Sequence, residues 1–283
     1  MRTVDLHTHT TASDGSMKPQ ELVNYAREKG LSVIAVTDHD TIDGLDEAVK
    51  EGNNIGLKVI PGVEISLDFK KEMHMLGYFP NNNYRNIRNI LDDLRFSRNR
   101  RNIKMAEKLN ELGFKVSVEE AEMEASGRIV ARPHFARVLL KKGYVSSISE
   151  AFEKYLGFGK PAYIEKEKLS VQDGILAILK AGGIPVLAHP KLLGLEDDEM
   201  EKLISDMAGW GMKGLEVYYV DNTEEETEKY LKIAEKYSLI PTGGSDFHGN
   251  FKPDIDLGSG YGNLKVPYEA VEALEQLAHS VKI

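Results

Sequence analysis

The chain has 283 residues, 41% hydrophobic and 29% charged, enough to bury a core in one large domain or two smaller ones, and no apolar run is long enough for a membrane helix. It contains no cysteine, which excludes disulfides, iron–sulfur clusters and thiolate zinc sites, so any metal must be held by His, Asp or Glu. The net charge of −9 argues against a dedicated duplex-DNA binder, which needs a basic face.

The N-terminus, Met1-Arg2-Thr3-Val4-Asp5-Leu6-His7, carries charge where a secretion signal needs an apolar run, so a cytoplasmic protein is expected. β-type runs then follow at Thr3–Leu6, Val33–Thr37, Lys58–Ile60 with Val63–Ile65, His74–Tyr78, Pro185–Ala188, Gly214–Tyr219 and Leu239–Thr242. Helical patterns lie between several of them. Pro19–Lys29 opens with proline and stops at Gly30. Ser170-Val171-Gln172-Asp173 resembles a capping box, Asp221–Tyr237 puts glutamates in its first turn, and Pro267–Val281 repeats apolar residues at helical spacing. Strand–helix alternation argues for a parallel sheet with crossover helices, and about seven strands suit a (β/α) barrel. The segment 84–162 reads as almost wholly helical and is expected to be an insertion domain, leaving 1–83 and 163–283 as the barrel domain. Between Arg85 and Lys142 there are 14 Lys and Arg against 8 Asp and Glu. That basic stretch is either a solvated helix face or a contact surface for an anionic substrate, with Arg95, Arg98 and Arg101 as candidate steering charges.

Chemistry-bearing residues fall at the strand ends. His7-Thr8-His9 follows the first strand, and residues two apart in an extended segment point the same way. Asp14 follows on a turn. Strand two runs into Asp38-His39-Asp40, strand three carries Glu64, and His74 opens the fourth. Later strands end at His189 and at Asp246-Phe247-His248. In a (β/α) barrel such ends converge on one face. Six of the eight histidines sort there; His279 lies on the terminal helix and reads as a surface residue. Nine N/O donors (His7, His9, Asp14, His39, Glu64, His74, His189, Asp246 and His248) exceed the needs of one ion and point to two or three divalent cations, with Zn, Mn or Fe all admissible. Asp38 and Asp40 are candidates for orienting the ligands.

His7-x-His9-Thr10 with Ser13-Asp14-Gly15, Thr37-Asp38-His39-Asp40-Thr41, Gly62-Val63-Glu64-Ile65-Ser66, Ala188-His189-Pro190 and Gly244-Ser245-Asp246-Phe247-His248 resemble the PHP (polymerase and histidinol phosphatase) family over roughly 1–80 and 165–283. The resemblance implies an α/β fold, a distorted seven-stranded (β/α) barrel, with a trinuclear metal site. It places His7, His9, Glu64 and Asp246 on one ion, Glu64, His74 and His189 on a second, and Asp14, His39 and His248 on a third. Ala131-Arg132-Pro133-His134 and Gly159-Lys160-Pro161 resemble the insertion of bacterial members acting on nucleotides and short RNA 5′ ends, which implies substrate-binding roles for Arg132, His134 and Lys160. The residues themselves leave a second possibility, a helix-start arginine with a packing histidine. The expected activity is hydrolysis of phosphate monoesters of AMP, 3′,5′-bisphosphonucleotides or short oligoribonucleotide 5′ ends by a hydroxide bridging two ions. A histidinol-phosphate-type phosphatase and a non-catalytic metal-binding module are the alternatives. The expected partner is a small anionic phosphorylated substrate or short RNA, with neither duplex DNA nor membrane involved.

Overall fold

A computed structural model describes residues 2–125, 130–165 and 168–280. The chain divides into two compact units, Met1–Leu91 with Lys168–Ile283, and Asp92–Glu167. Among the described residues no helix is long and apolar enough to cross a membrane.

The first unit opens with β1 (Thr3–Asp5), α1 (Pro19–Glu28), β2 (Leu31–Val36), α2 (Leu45–Ile55), β3 (Lys58–Asp68) and β4 (Met73–Tyr78). The helices α3 (Arg88–Glu111), α4 (Val118–Ala125), α5 (Arg132–Lys141) and α6 (Ile148–Ala151) follow, the last running into a wider turn at Phe152–Leu156. The chain then forms β5 (Leu169–Ser170), α7 (Val171–Lys180), β6 (Ile184–Leu187), α8 (Asp197–Gly209), β7 (Gly214–Tyr219), α9 (Glu224–Lys236), β8 (Ile240–Gly244) and α10 (Glu269–Ser280). Caps set several of these boundaries: Ser170 accepts from Asp173 N at the start of α7, and Thr223 forms a reciprocal capping box with Glu226 at α9. The C-terminal residue of the pattern Pro267–Val281 lies outside the described residues.

Seven strands run in the order β1-β2-β3-β4-β6-β7-β8, with the two-residue β5 paired to β3. The ring closes where Leu6 N donates to Gly243 O (3.1 Å) and Thr8 bridges Phe247. One expectation is corrected here. The sheet is not wholly parallel, because β4 runs antiparallel to both β3 and β6. A short reversal at residues 69–72 joins β3 to β4, too short for a crossover helix, so the pair can only be a hairpin. Residues two apart share a face, and Val4 and Leu6, Val33 and Ala35, Leu76 and Tyr78, Val186 and Ala188 meet in one buried cluster. Val271, Leu274 and Ala278 of α10 join it.

The second unit has its own core. Met105 and Leu109 of α3 pack with Phe135 and Leu139 of α5 and with Leu156 and Ala162.

Closure of the ring needs a residue without a side chain at the end of β8. A Cβ on Gly244 would lie 2.4 Å from both His7 Cβ and His7 N, and 2.8 Å from His7 Cα. Backbone atoms cannot give way as a flexible side chain can, so Gly244→Ala must push β8 away from β1. We expect a loss of about 1–3 kcal/mol in unfolding free energy, measured by chemical denaturation; an unchanged midpoint would contradict this tight contact.

Candidate metal centre

The rim of the barrel gathers all nine candidate donors. Glu64, at the point where β3 passes the end of β2, is fully buried. Its Oε2 lies 3.2 Å from His7 Nε2, 3.2 Å from His9 Nε2 and 3.1 Å from His39 Nδ1. Its Oε1 lies 2.9 Å from both His74 Nδ1 and His189 Nε2. Asp246 Oδ1 sits 3.1 Å from His9 Nε2 and 3.6 Å from His7 Nε2. On the outer side, Asp14 reaches His248 Nε2 (3.3 Å), His9 Nδ1 (3.7 Å) and His39 Nε2 (3.7 Å).

Three groups of donor atoms close enough to share a cation result: His7, His9, Glu64 and Asp246; His39, Glu64 and His74; and His9, Asp14, His39 and His248. His189 adjoins the second group, its Nε2 being 3.3 Å from His74 Nδ1. His9 and His39 each face two groups. A neutral imidazole has only one lone pair, so each ring serves one cation at a time.

The chain also fixes which ring nitrogen faces the centre. His7 Nδ1 donates to Glu216 Oε1 (2.9 Å), leaving Nε2 with the lone pair. His248 Nδ1 donates to the Asp246 carbonyl (2.7 Å), leaving Nε2 toward Asp14. Asp38 accepts from Thr10 N and Thr10 Oγ1 (both 2.7 Å) and from Ser13 Oγ (2.6 Å), pinning the turn that carries Asp14. Asp40 accepts from Ser66 N (2.9 Å), while Asp40 N donates to Glu64 O (2.8 Å). These two acids therefore hold the backbone that carries the donors.

The donor set fits cations. Buried polar atoms in folded proteins nearly always find hydrogen-bond partners, yet His7 Nε2, both ring nitrogens of His9, Glu64 Oε2 and His189 Nδ1 are buried without one. The three nitrogens around Glu64 Oε2 are near enough to touch it, and the His7 and His9 Nε2 atoms form no hydrogen bond with it. Electrostatics agree. Burial disfavours a charged His7, but Glu216, Glu64 and Asp246 overcome it and raise its pKa well above the usual range. His9 is likewise raised to about 9 against burial, chiefly by Asp246 and Glu64, and His74 to about 10 by Glu64 and Glu72. Burial wins at His39, which falls to about 4. Glu64 and Asp246 are held well below the carboxylate range despite burial, by His39, His7 and His74 and by His7 and His9 respectively. The carboxylates are held ionised and draw positive charge onto His7, His9 and His74, in a set of nitrogen and oxygen donors suited to zinc, manganese or iron.

Several contributors went unread in the sequence. Glu216 on β7 orients His7 and also accepts from His189 N (2.6 Å). Asp5 is buried and accepts from the backbone N–H of His7 (3.2 Å), Ser245 (3.0 Å) and Gly258 (2.8 Å). Lys252 Nζ donates to Asp246 Oδ2 (2.6 Å), as does the Tyr219 hydroxyl (3.3 Å). The available signal was an acid inside an otherwise apolar strand, as in Thr3-Val4-Asp5-Leu6 and Gly214-Leu215-Glu216-Val217.

In the second unit, His134 Nδ1 accepts from Ala131 N (2.9 Å) at the start of α5, and the Arg132 guanidinium lies over the Tyr163 ring at 5.2 Å. Lys160 is exposed. Of the three steering candidates, Arg95 is exposed and paired with Asp92 (2.7 Å), whereas Arg98 and Arg101 are buried.

The orienting role of Glu216 is testable. Glu216→Gln keeps the shape but replaces one acceptor oxygen by a donor, and loss of such outer contacts typically weakens metal binding about 10–100-fold. Competitive chelator titration should show that loss; an unaltered affinity would remove Glu216 from the centre.

Known proteins resemble this chain in sequence and fold. The PHP domain family model matches residues 5–239. A 5′-3′ exoribonuclease of Haemophilus influenzae is 36% identical over 86% of this chain and 89% of its own. A 3′,5′-nucleoside bisphosphate phosphatase of Chromobacterium violaceum is 30% identical over 91% of each. Among solved structures, a Bifidobacterium adolescentis protein classed as a metal-dependent phosphoesterase superposes with a TM-score of 0.75, at 32% identity, over 96% of this chain and 95% of its own. The chain belongs to the PHP family and is a metal-dependent hydrolase of phosphoric ester bonds.

Proposed function

We propose that the centre holds three divalent cations and hydrolyses phosphate monoesters of nucleotides, AMP or 3′,5′-bisphosphonucleotides, or the 5′ ends of short oligoribonucleotides. The observation that carries the reading is the single buried carboxylate of Glu64 with five imidazole nitrogens at 2.9–3.2 Å, three on one oxygen and two on the other. A carboxylate so flanked would serve two cations at once. His7, His9 and Asp246 would complete one site, His74 and His189 the second, and Asp14, His39 and His248 would hold the third. Bound there, divalent cations supply Lewis acidity toward phosphoryl oxygens and lower the pKa of water.

The chain's own groups do the rest. Glu216 and the Asp246 carbonyl keep His7 and His248 in the tautomer that presents Nε2. Lys252 and Tyr219 hold the second oxygen of Asp246 and so direct its first toward His9. Arg132 offers a planar fork of donors matched to phosphate oxygens, stacked on Tyr163. Lys160 adds an exposed charge. His134 contributes by capping the helix start that carries Arg132. The substrate class follows the relatives, whose names give a 5′-3′ exoribonuclease and a 3′,5′-nucleoside bisphosphate phosphatase.

Release of phosphate from AMP, a 3′,5′-bisphosphonucleotide and histidinol phosphate, and of phosphate or a nucleoside monophosphate from a 5′-phosphorylated trinucleotide, with manganese present, tests the reading. Release is expected from the nucleotides and should vanish on chelation. Preference for histidinol phosphate, or release from none by fully loaded protein, would overturn it. Arg132→Ala should raise KM for the nucleotides about 10–100-fold, the range for losing a charged hydrogen bond to phosphate; an unchanged KM would remove Arg132 from substrate recognition.

A further inference from the structure

Asp5, the last residue of β1, belongs to none of the three donor groups that could share a cation, yet it is fully buried. Burying a carboxylate is costly unless its lone pairs are taken up. Here four bonds do so. Oδ1 accepts from His7 N (3.2 Å) and Ser245 N (3.0 Å), and Oδ2 from Ser245 Oγ (2.5 Å) and Gly258 N (2.8 Å). Each oxygen therefore faces at least one backbone N–H, a group that can only donate. An asparagine of the same shape, whichever way its amide turned, would set an NH2 against such a donor. Only a carboxylate satisfies this junction.

Its partners are the residues that aim the cation donors. The bond to His7 N is a turn in which an acid holds its own chain two residues on, and it bends the chain where β1 ends. Ser245 directly precedes Asp246, whose φ of 53° persists only when neighbouring contacts over-determine it. Asp5 grips the residue before that bend through two bonds, and His248 Nδ1 holds the Asp246 carbonyl after it (2.7 Å). His7 and Asp246 then meet in one donor group, with His7 Nε2 3.6 Å from Asp246 Oδ1. Barrel closure does not itself require the acid, since Leu6 with Gly243 and Thr8 with Phe247 already join the two chain segments.

The fourth bond recruits the segment after β8. Gly258 takes the left-handed conformation (φ +74°) there. Asp256 and Gly260 exchange backbone bonds around it (2.9 and 2.8 Å), and the Tyr25 hydroxyl of α1 donates to Asp256 Oδ1 (2.8 Å). A tied loop, not a loose one, supplies the last donor.

We propose that Asp5 is a positioning residue of the cation centre, an all-acceptor clasp that sets His7 and Asp246 toward a common cation while holding none itself. The inference rests on the centre taking up cations, and not on the reaction proposed for it.

The test titrates full-length, manganese-loaded protein with a competing chelator, and records the visible absorption of cobalt-loaded protein, which reports donor geometry separately from fold stability. Asp5→Asn should weaken cation binding about 10–100-fold, the range for outer partners of metal donors, and shift the cobalt bands. Ser245→Ala removes one bond of the four and should weaken binding about threefold to tenfold; it decides the question if Asp5→Asn does not fold. Val271→Ala, a deletion on the buried face of α10, is the control: it should lower the unfolding midpoint and leave affinity and cobalt bands unmoved. Wild-type affinity in both Asp5→Asn and Ser245→Ala, or a loss in Val271→Ala as large as theirs, would overturn the clasp. Phosphate release is no part of the readout, so a failed substrate panel leaves the clasp standing, and unmoved affinities leave the proposed reaction standing.

Discussion

The carboxylate of Glu64 is the constraint on which the rest of the structure depends. It is fully buried, and a buried anion must be neutralised by protonation, a cation or hydrogen bonds. Its neighbours are five imidazoles from four separate stretches of the chain. Such a carboxylate is tolerable only if every one of those stretches ends at the same place, so the barrel's register and the site's chemistry are one requirement. Outer contacts reinforce it: Glu216 ties β1 to the end of β6, joining elements 182 residues apart in sequence through His7 and His189.

The reversed strand β4 shows how topology serves this requirement. Parallel strands bring their C-terminal ends to the rim, but His74 stands at the start of its strand, paired in register with Ser66. Only antiparallel pairing places that end beside Glu64, and the adjoining bond from Ala188 N to His74 O (3.2 Å) then brings His189 to the same carboxylate oxygen. The sequence contained this clue, since a histidine opening a strand cannot join donors that close theirs unless the strand is turned around.

What was legible was whatever has a local signature. Strands β1 to β4 and β6 to β8 stood out as short apolar runs, and the donor histidines as imidazoles that interrupt polarity patterns at their ends. The two-residue β5 has no such signature, because its pairing with Leu67 and Asp68 is decided by tertiary contact alone. Glu216 and Asp5 were hidden for a related reason: a single acid inside a strand reads as an outward-facing residue, and only closure of the ring turns it inward. Arg98 and Arg101 were read as part of a basic face. Charge predicts exposure for most arginines, and burial of these two depends on packing that no helical period reveals.

Strain marks the same rim. Among the described residues, five other than glycine have positive φ, and three of them are Asp40 (51°), His189 (27°) and Asp246 (53°). Such conformations cost on the order of 1–3 kcal/mol each and persist only when surrounding contacts over-determine them. Here the contacts can be named: Asp40 N bonds to Glu64 O, His189 N to Glu216, and the Asp246 carbonyl accepts from His248. The backbone bends sharply where strand gives way to loop, because a continued extension would carry the imidazole or carboxylate past the centre. Stability is given up at three strand ends, and what it secures is the aim of the donor atoms.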